Sequence, residues 1–151
     1  MTEVQKTALQ GKSLLLYDGL CGLCNRVVLF LLKRDHSGRL LYAPMRSRLG
    51  REMLAKYGQT PEKLESVALI LHANTPEEKF LHHSTAVAHA LLLLGGLWAF
   101  TGRMLLVFPN FLRDAGYGFI SRIRYRIFGK YDQCPLPTAE QRARFLALDE
   151  C

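Results

Sequence analysis

Several familiar protein classes are excluded by what this chain has little of. Four cysteines among 151 residues are too few for a small disulfide-stapled scaffold. No stretch reaches the roughly 20 uninterrupted apolar residues that a membrane-spanning helix needs. The longest apolar run, 86–100, is interrupted by His89 and Gly95-Gly96, and Arg103 stands before the next one at 104–108. Low-complexity tracts and Pro/Gly/Ser-rich linkers are absent, which argues against disorder and against division into several domains. Acidic residues are the scarcer charge, 13 Asp+Glu against 20 Lys+Arg, giving a formal net charge of +7. That balance favours anionic partners without identifying them. Zinc-finger spacing, an RNA-recognition aromatic motif and a basic-zipper heptad are all missing, so no nucleic-acid partner is expected. The basic cluster Arg122, Arg124, Arg126 and Lys130 is either a solvated helix face or the lining of a site.

A composition 49% hydrophobic and 22% charged describes one globular domain over 1–151, with its core at about 13–105 and a helical extension from about 106 to 151. The apolar run at 13–17 ends at Asp18-Gly19 and reads as a buried strand and turn. Helical spacing follows over 22–34, a second strand over 39–43 and a second helix over 47–57. Strands at 66–72 and 79–82 form a hairpin. Ser84 is placed to cap a long apolar helix buried in the core. Further helical segments follow from Pro109, broken at Gly116, Gly118 and Gly129, with a last helix over 138–148. The order βαβαββα, with two parallel crossovers and a closing hairpin, is an α/β, three-layer, thioredoxin-like arrangement with an added C-terminal helical region. The start of the chain is polar and lacks a signal-peptide core. A cytoplasmic location is therefore expected, where thiols stay reduced and a close cysteine pair is catalytic or metal-binding.

Cys21-Gly22-Leu23-Cys24 follows the first strand and opens the first helix of that arrangement, the context of a redox-active pair. Their spacing lets both sulfurs reach one another without backbone movement. Unpaired N–H groups at the helix start favour a thiolate on Cys21. The dipole contributes about 0.3–2 kcal/mol, and one pKa unit is worth about 1.4 kcal/mol, so the dipole alone brings Cys21 to roughly 7–8. Gly22 and Leu23 add no charge, which points to a reductant or exchange catalyst unless a distant arginine folds onto the site. Cys21, expected to be exposed, is the nucleophile, and Cys24, one turn inside, resolves the mixed disulfide. Asp18 is a helix cap, a proton relay near Cys24, or a plain turn residue.

The segment from Tyr17 through Asn25, with Val28 and Phe30 beyond it, resembles the DCC family of thiol-disulfide oxidoreductases, named for an Asp and two Cys. Ser66-Val67-Ala68-Leu69 is similar to the family's third strand, and Ser84-Thr85-Ala86 to its following helix start. The stretch Arg122 to Lys130 and Cys134-Pro135-Leu136-Pro137 resemble its C-terminal signature. The resemblance covers about 13–137 and implies a thioredoxin-like fold and a redox role for Cys21 and Cys24, with Asp18 the third motif residue. It names no substrate. Thioredoxins carry a cis-proline directly before the third strand, and here Ser66 stands there, so the substrate groove is expected to differ.

Thiol-disulfide exchange without a bound cofactor or metal, between an unidentified disulfide substrate and a reducing partner, is the leading functional expectation. One alternative is a zinc module built from Cys21, Cys24, Cys134 and a histidine. Another is a membrane-surface module using the helix at 86–100. Cys134 is otherwise a structural cysteine or a third redox thiol, and Cys151 a frayed end. His82, His83 and His89 are read as local hydrogen-bonding residues.

Overall fold

A computed structural model describes residues 2–64, 67–130 and 138–147. Its sheet has four strands in the order β2-β1-β3-β4: β1 (Ser13–Tyr17), β2 (Leu40–Pro44), β3 (Ala68–Leu71) and β4 (Lys79–His82). Every residue of β1 is buried, as its unbroken apolar sequence requires of a central strand covered on both faces. Alternation along the strand divides the core. Leu15 and Tyr17 face one layer with Val28, Leu31 and Leu91. Leu14 and Leu16 face the other with Leu9, Leu49, Met53 and Leu54. The first layer belongs to α2 (Gly22–Arg34) and α5 (His83–Leu94). The opposite one belongs to α1 (Glu3–Leu9), α3 (Arg48–Ala55) and α4 (Pro61–Leu64). This is the expected three-layer, thioredoxin-like fold.

One connection differs from expectation. β1 and β2 are parallel, but β3 runs antiparallel to β1, pairing Leu15 with Leu69. Only the first crossover is therefore parallel. The segment through α3 and α4 brings the chain back to the end of the sheet where β2 finished, and a strand buried on both faces reads the same in either direction. The hairpin of β3 and β4 is present, with Leu69 opposite Leu81.

The apolar run at 86–100 is also not one buried helix. Gly95 and Gly96, at φ 74° and 57°, end α5 and start α6 (Gly96–Val107) in a conformation open to glycine. The two helices pack so closely that a Cβ on Gly102 would lie 2.6 Å from the Ala88 carbonyl oxygen. In α5 the buried side is Ala86, Ala88, Ala90 and Leu91, whereas Gly102 alone is fully buried in α6. Ser84 caps nothing; α5 begins at His83, and the Ser84 hydroxyl donates to Asp114 Oδ1 at 2.6 Å.

That bond helps hold α7 (Asn110–Phe128), which continues through Gly116 and Gly118 and stops at Gly129. Each internal glycine costs about 1 kcal/mol against alanine, a penalty that tertiary anchoring offsets. The expected terminal helix is a 3-10 turn at Gln141–Arg144. Beyond it the Leu146 N–H donates to the Tyr42 carbonyl at 2.8 Å, the Phe145 ring lies 5.4 Å from that of Tyr42, and Arg144 pairs with Asp35. These contacts dock the segment along the edge of β2 in place of a helix. α1 is a further helix not expected from the sequence, although Thr2 and Gln5 form a capping box at its start.

Candidate active site

The turn Asp18-Gly19-Leu20 carries the chain from β1 into α2, and three hydrogen bonds fix it. Asp18 Oδ1 accepts the Leu20 N–H at 3.1 Å. Asn25 Nδ2 donates to the carbonyls of Gly19 at 2.7 Å and Cys21 at 2.9 Å. Cys21 is thereby held as the N-cap of α2, where its Sγ accepts the Cys24 N–H at 3.4 Å. A sulfur in this position takes the place of the usual capping oxygen and meets the positive end of the helix.

Cys21 is not exposed, contrary to expectation. Its relative exposure is 0%, against 4% for Cys24. The end of α7 closes over the start of α2: the Gly22 N–H donates to the Gly129 carbonyl at 3.1 Å, and Cys21 bridges Lys130 as an isolated antiparallel pair. A side chain on Gly22 would collide with the Phe128 carbonyl oxygen, so glycine is what admits this strap. Cys24, rather than Cys21, lines a recess of about 60 Å³ together with Val67, Val87, Tyr117, Ile120 and Arg124. Val87, Tyr117 and Ile120 also line an adjoining apolar cavity of about 400 Å³ between α5, α6 and α7.

Beneath the pair lies a buried polar chain. Arg124, 5% exposed, places Nη2 3.6 Å from Asp18 Oδ2 and donates from it to the Tyr125 hydroxyl at 3.2 Å. Tyr125 in turn donates to Asp18 Oδ2. Arg124 Nε and Nη1 have no hydrogen-bond partner among the described residues. Of the three roles considered for Asp18, capping is excluded, because Cys21 is the N-cap. Asp18 is a turn residue and also the counter-charge of Arg124.

The two thiols differ in acidity. Cys21 is lowered to about 6, chiefly by the hydrogen bond with the Cys24 thiol; burial opposes this, and the Cys24 N–H and the Arg124 charge assist it. Cys24 is pushed far up by the same hydrogen bond, by burial and by the neighbouring Cys21 charge. Tyr125 rises to about 12 through burial and its bond to Asp18, which keeps its hydroxyl a donor at neutral pH. The distant arginine on which the sequence argument was conditional is present, so Cys21 is more acidic than the dipole alone would make it.

Cys134, Cys151 and Ser66 lie outside the described residues. Among the described residues no three His, Cys, Asp or Glu side chains gather into a group that could hold a metal ion. His82 and His83 place their Nδ1 atoms 3.0 Å apart at the start of α5. The basic cluster is divided: Arg122, Arg126 and Lys130 are exposed, and Arg124 faces the cysteines. Arg124 and Tyr125 are the site residues that sequence reasoning did not separate from their neighbours, although both fall inside the C-terminal signature.

The family of DCC1-like thiol-disulfide oxidoreductases matches residues 15–130. The uncharacterized protein YuxK of Bacillus subtilis (strain 168) is 34% identical over 135 residues, covering 87% of this chain and 92% of that protein. A chloroplastic DCC family protein of Arabidopsis thaliana is 27% identical over 125 residues, covering 83% of this chain and 70% of that protein. No solved structure matches significantly. With most of this chain matched, over a span that holds both cysteines, Asp18, Arg124 and Tyr125, the chain belongs to the DCC1-like thiol-disulfide oxidoreductases.

Proposed function

We propose that the protein catalyses thiol-disulfide exchange through Cys21 and Cys24. The observation that carries this reading is the inequality of the pair: Cys21 Sγ accepts the Cys24 amide at 3.4 Å and is acidified to about 6, while Cys24 stays protonated. The Cys21 thiolate attacks one sulfur of a substrate disulfide, that S–S bond breaks, and the departing thiolate takes a proton from solvent. Because Cys21 is covered, this step requires the Gly129–Lys130 strap to yield. Cys24 then loses its proton to the Asp18 carboxylate, and its thiolate attacks Cys21 Sγ. The second substrate sulfur leaves, and a Cys21–Cys24 disulfide remains. A dithiol partner returns the two electrons by the reverse sequence. A thiolate stabilised in the reduced protein makes the oxidised form the stronger oxidant. The cytoplasm, whose thiol pool regenerates such pairs, is the compartment this reading assigns.

Reduction of a small aromatic disulfide by the wild type, Cys21→Ser and Cys24→Ser tests the proposal. Cys21→Ser is expected to lose turnover and Cys24→Ser to accumulate a mixed disulfide on Cys21. Full turnover by Cys21→Ser, or oxidised protein that bridges Cys21 to Cys134, would overturn it.

A further inference from the structure

The second half of the apolar run is the largest feature that the exchange chemistry does not use. On α6, Leu97, Phe100, Met104, Val107 and the adjoining Phe108 are 45–74% exposed. Their spacing puts them along one side of the helix. Two of them, Leu97 and Val107, are exposed to 74%, more than a packed helix face leaves open. Exposed apolar side chains recur on α7, where Phe111, Leu112 and Phe119 are exposed to 77%, 51% and 62%, and Phe108 and Leu112 line the same cavity. On a helix, positions 111, 115, 119, 122 and 126 fall in one row. Phe111 and Phe119 therefore lead directly into Arg122 and Arg126, both exposed. So many exposed large apolar side chains on two consecutive helices point to an interaction site rather than the ordinary scatter of surface hydrophobes.

Charge selects the occupant. Between 95 and 130 the exposed bases are Arg103, Arg122, Arg126 and Lys130, against a single acid, Asp114, which accepts from the Ser84 hydroxyl; Arg124 is spent on buried Asp18. A second copy would bring like charges together on this face. A zwitterionic surface has no net negative charge to balance the arginines. Exposed Phe and Leu beside a row of arginines match a bilayer rich in anionic headgroups, with side chains in the acyl boundary and guanidinium groups among the phosphates. Among the described residues no helix is long and apolar enough to cross a membrane, so the contact lies in the interface plane. We propose that α6 and the exposed row of α7 from Phe111 to Arg126 form a docking face for an anionic membrane surface. The apolar cavity between α5, α6 and α7 opens beside Phe108 and Leu112 of this face and shares three residues with the recess at Cys24. Docking therefore sets the dithiol next to the bilayer.

Co-sedimentation of the full chain with vesicles tests this apart from the exchange reading, because reduction of a soluble disulfide is followed in the same samples. Wild type is expected to sediment with vesicles containing phosphatidylglycerol and to remain in solution with pure phosphatidylcholine. The triple variant Leu97→Ser/Phe100→Ser/Phe111→Ser is expected to stay in solution with both, keeping the helical circular dichroism and the soluble turnover of wild type. Arg122→Gln and Arg126→Gln should each weaken binding about fivefold. Three results would overturn the proposal. The first is a wild type that sediments with neither vesicle. The triple variant can sediment as wild type does, which would leave only non-specific charge attraction. Analytical ultracentrifugation can show a dimer that the triple variant dissociates, which would make a second copy the occupant.

Discussion

Arg124 Nη2 stands 3.6 Å from Asp18 Oδ2, with the side chains 6% and 3% exposed. This buried pair joins the C-terminal half of α7 to the turn that presents Cys21. It therefore links the helical extension to the chemistry of the first helix. Breaking one side of such a pair is costly, since the remaining charge has no solvent to compensate it.

Arg124→Met should lower unfolding free energy by about 3–5 kcal/mol, measured by denaturant titration. The Cys21 titration should also move upward, because the Arg124 charge contributes to its acidity. The double variant Asp18→Asn/Arg124→Met separates the two effects. It should recover much of the stability while Cys21 keeps the higher pKa.

Gly22→Ala places a methyl group against the Phe128 carbonyl oxygen and 3.3 Å from that of Gly129. Both are backbone atoms of the strap, which leave little room to adjust, so a loss of about 1–3 kcal/mol is expected. Relief comes by lifting the strap, and Cys21 should then alkylate faster than in wild type. An unchanged alkylation rate would mean that the strap does not cover the sulfur in solution.

Stability of the reduced protein should depend on pH in a defined window. Cys21 in the fold titrates at about 6, below its ordinary 9.0. The stabilisation is thus fully present above about pH 9 and is lost as pH falls through 6. Cys24, raised in the fold, acts with the opposite sign and only above its ordinary range. The melting temperature of reduced wild type, taken relative to Cys21→Ser, should therefore rise between pH 6 and 9.

Much of this site could be read before the fold was seen. The apolar run ending at Asp18-Gly19 and the two cysteines at helical spacing are local signals, and they stand at the end of β1 and the start of α2, although Cys21 is buried rather than exposed. What covers Cys21 comes from Gly129 and Lys130, far along the chain, and no local pattern announces it. Arg124 was recoverable: residues at i, i+2 and i+4 cannot share one helix face, so Arg122, Arg124 and Arg126 could not all be solvated together. The direction of β3 was not legible, because a doubly buried strand has no face-dependent pattern. The apolar run at 86–108 misled through its composition. Hydrophobicity implied burial, whereas the Gly95-Gly96 break turns its second half outward.

Site-resolved alkylation of reduced protein across pH 4 to 10, read by peptide mass spectrometry, tests the central claim most directly. Cys21 is expected to react with a midpoint near 6, while Cys24 stays essentially unmodified until its neighbour is blocked. Equal alkylation of both cysteines, with midpoints near the ordinary thiol value of 9.0, would contradict it.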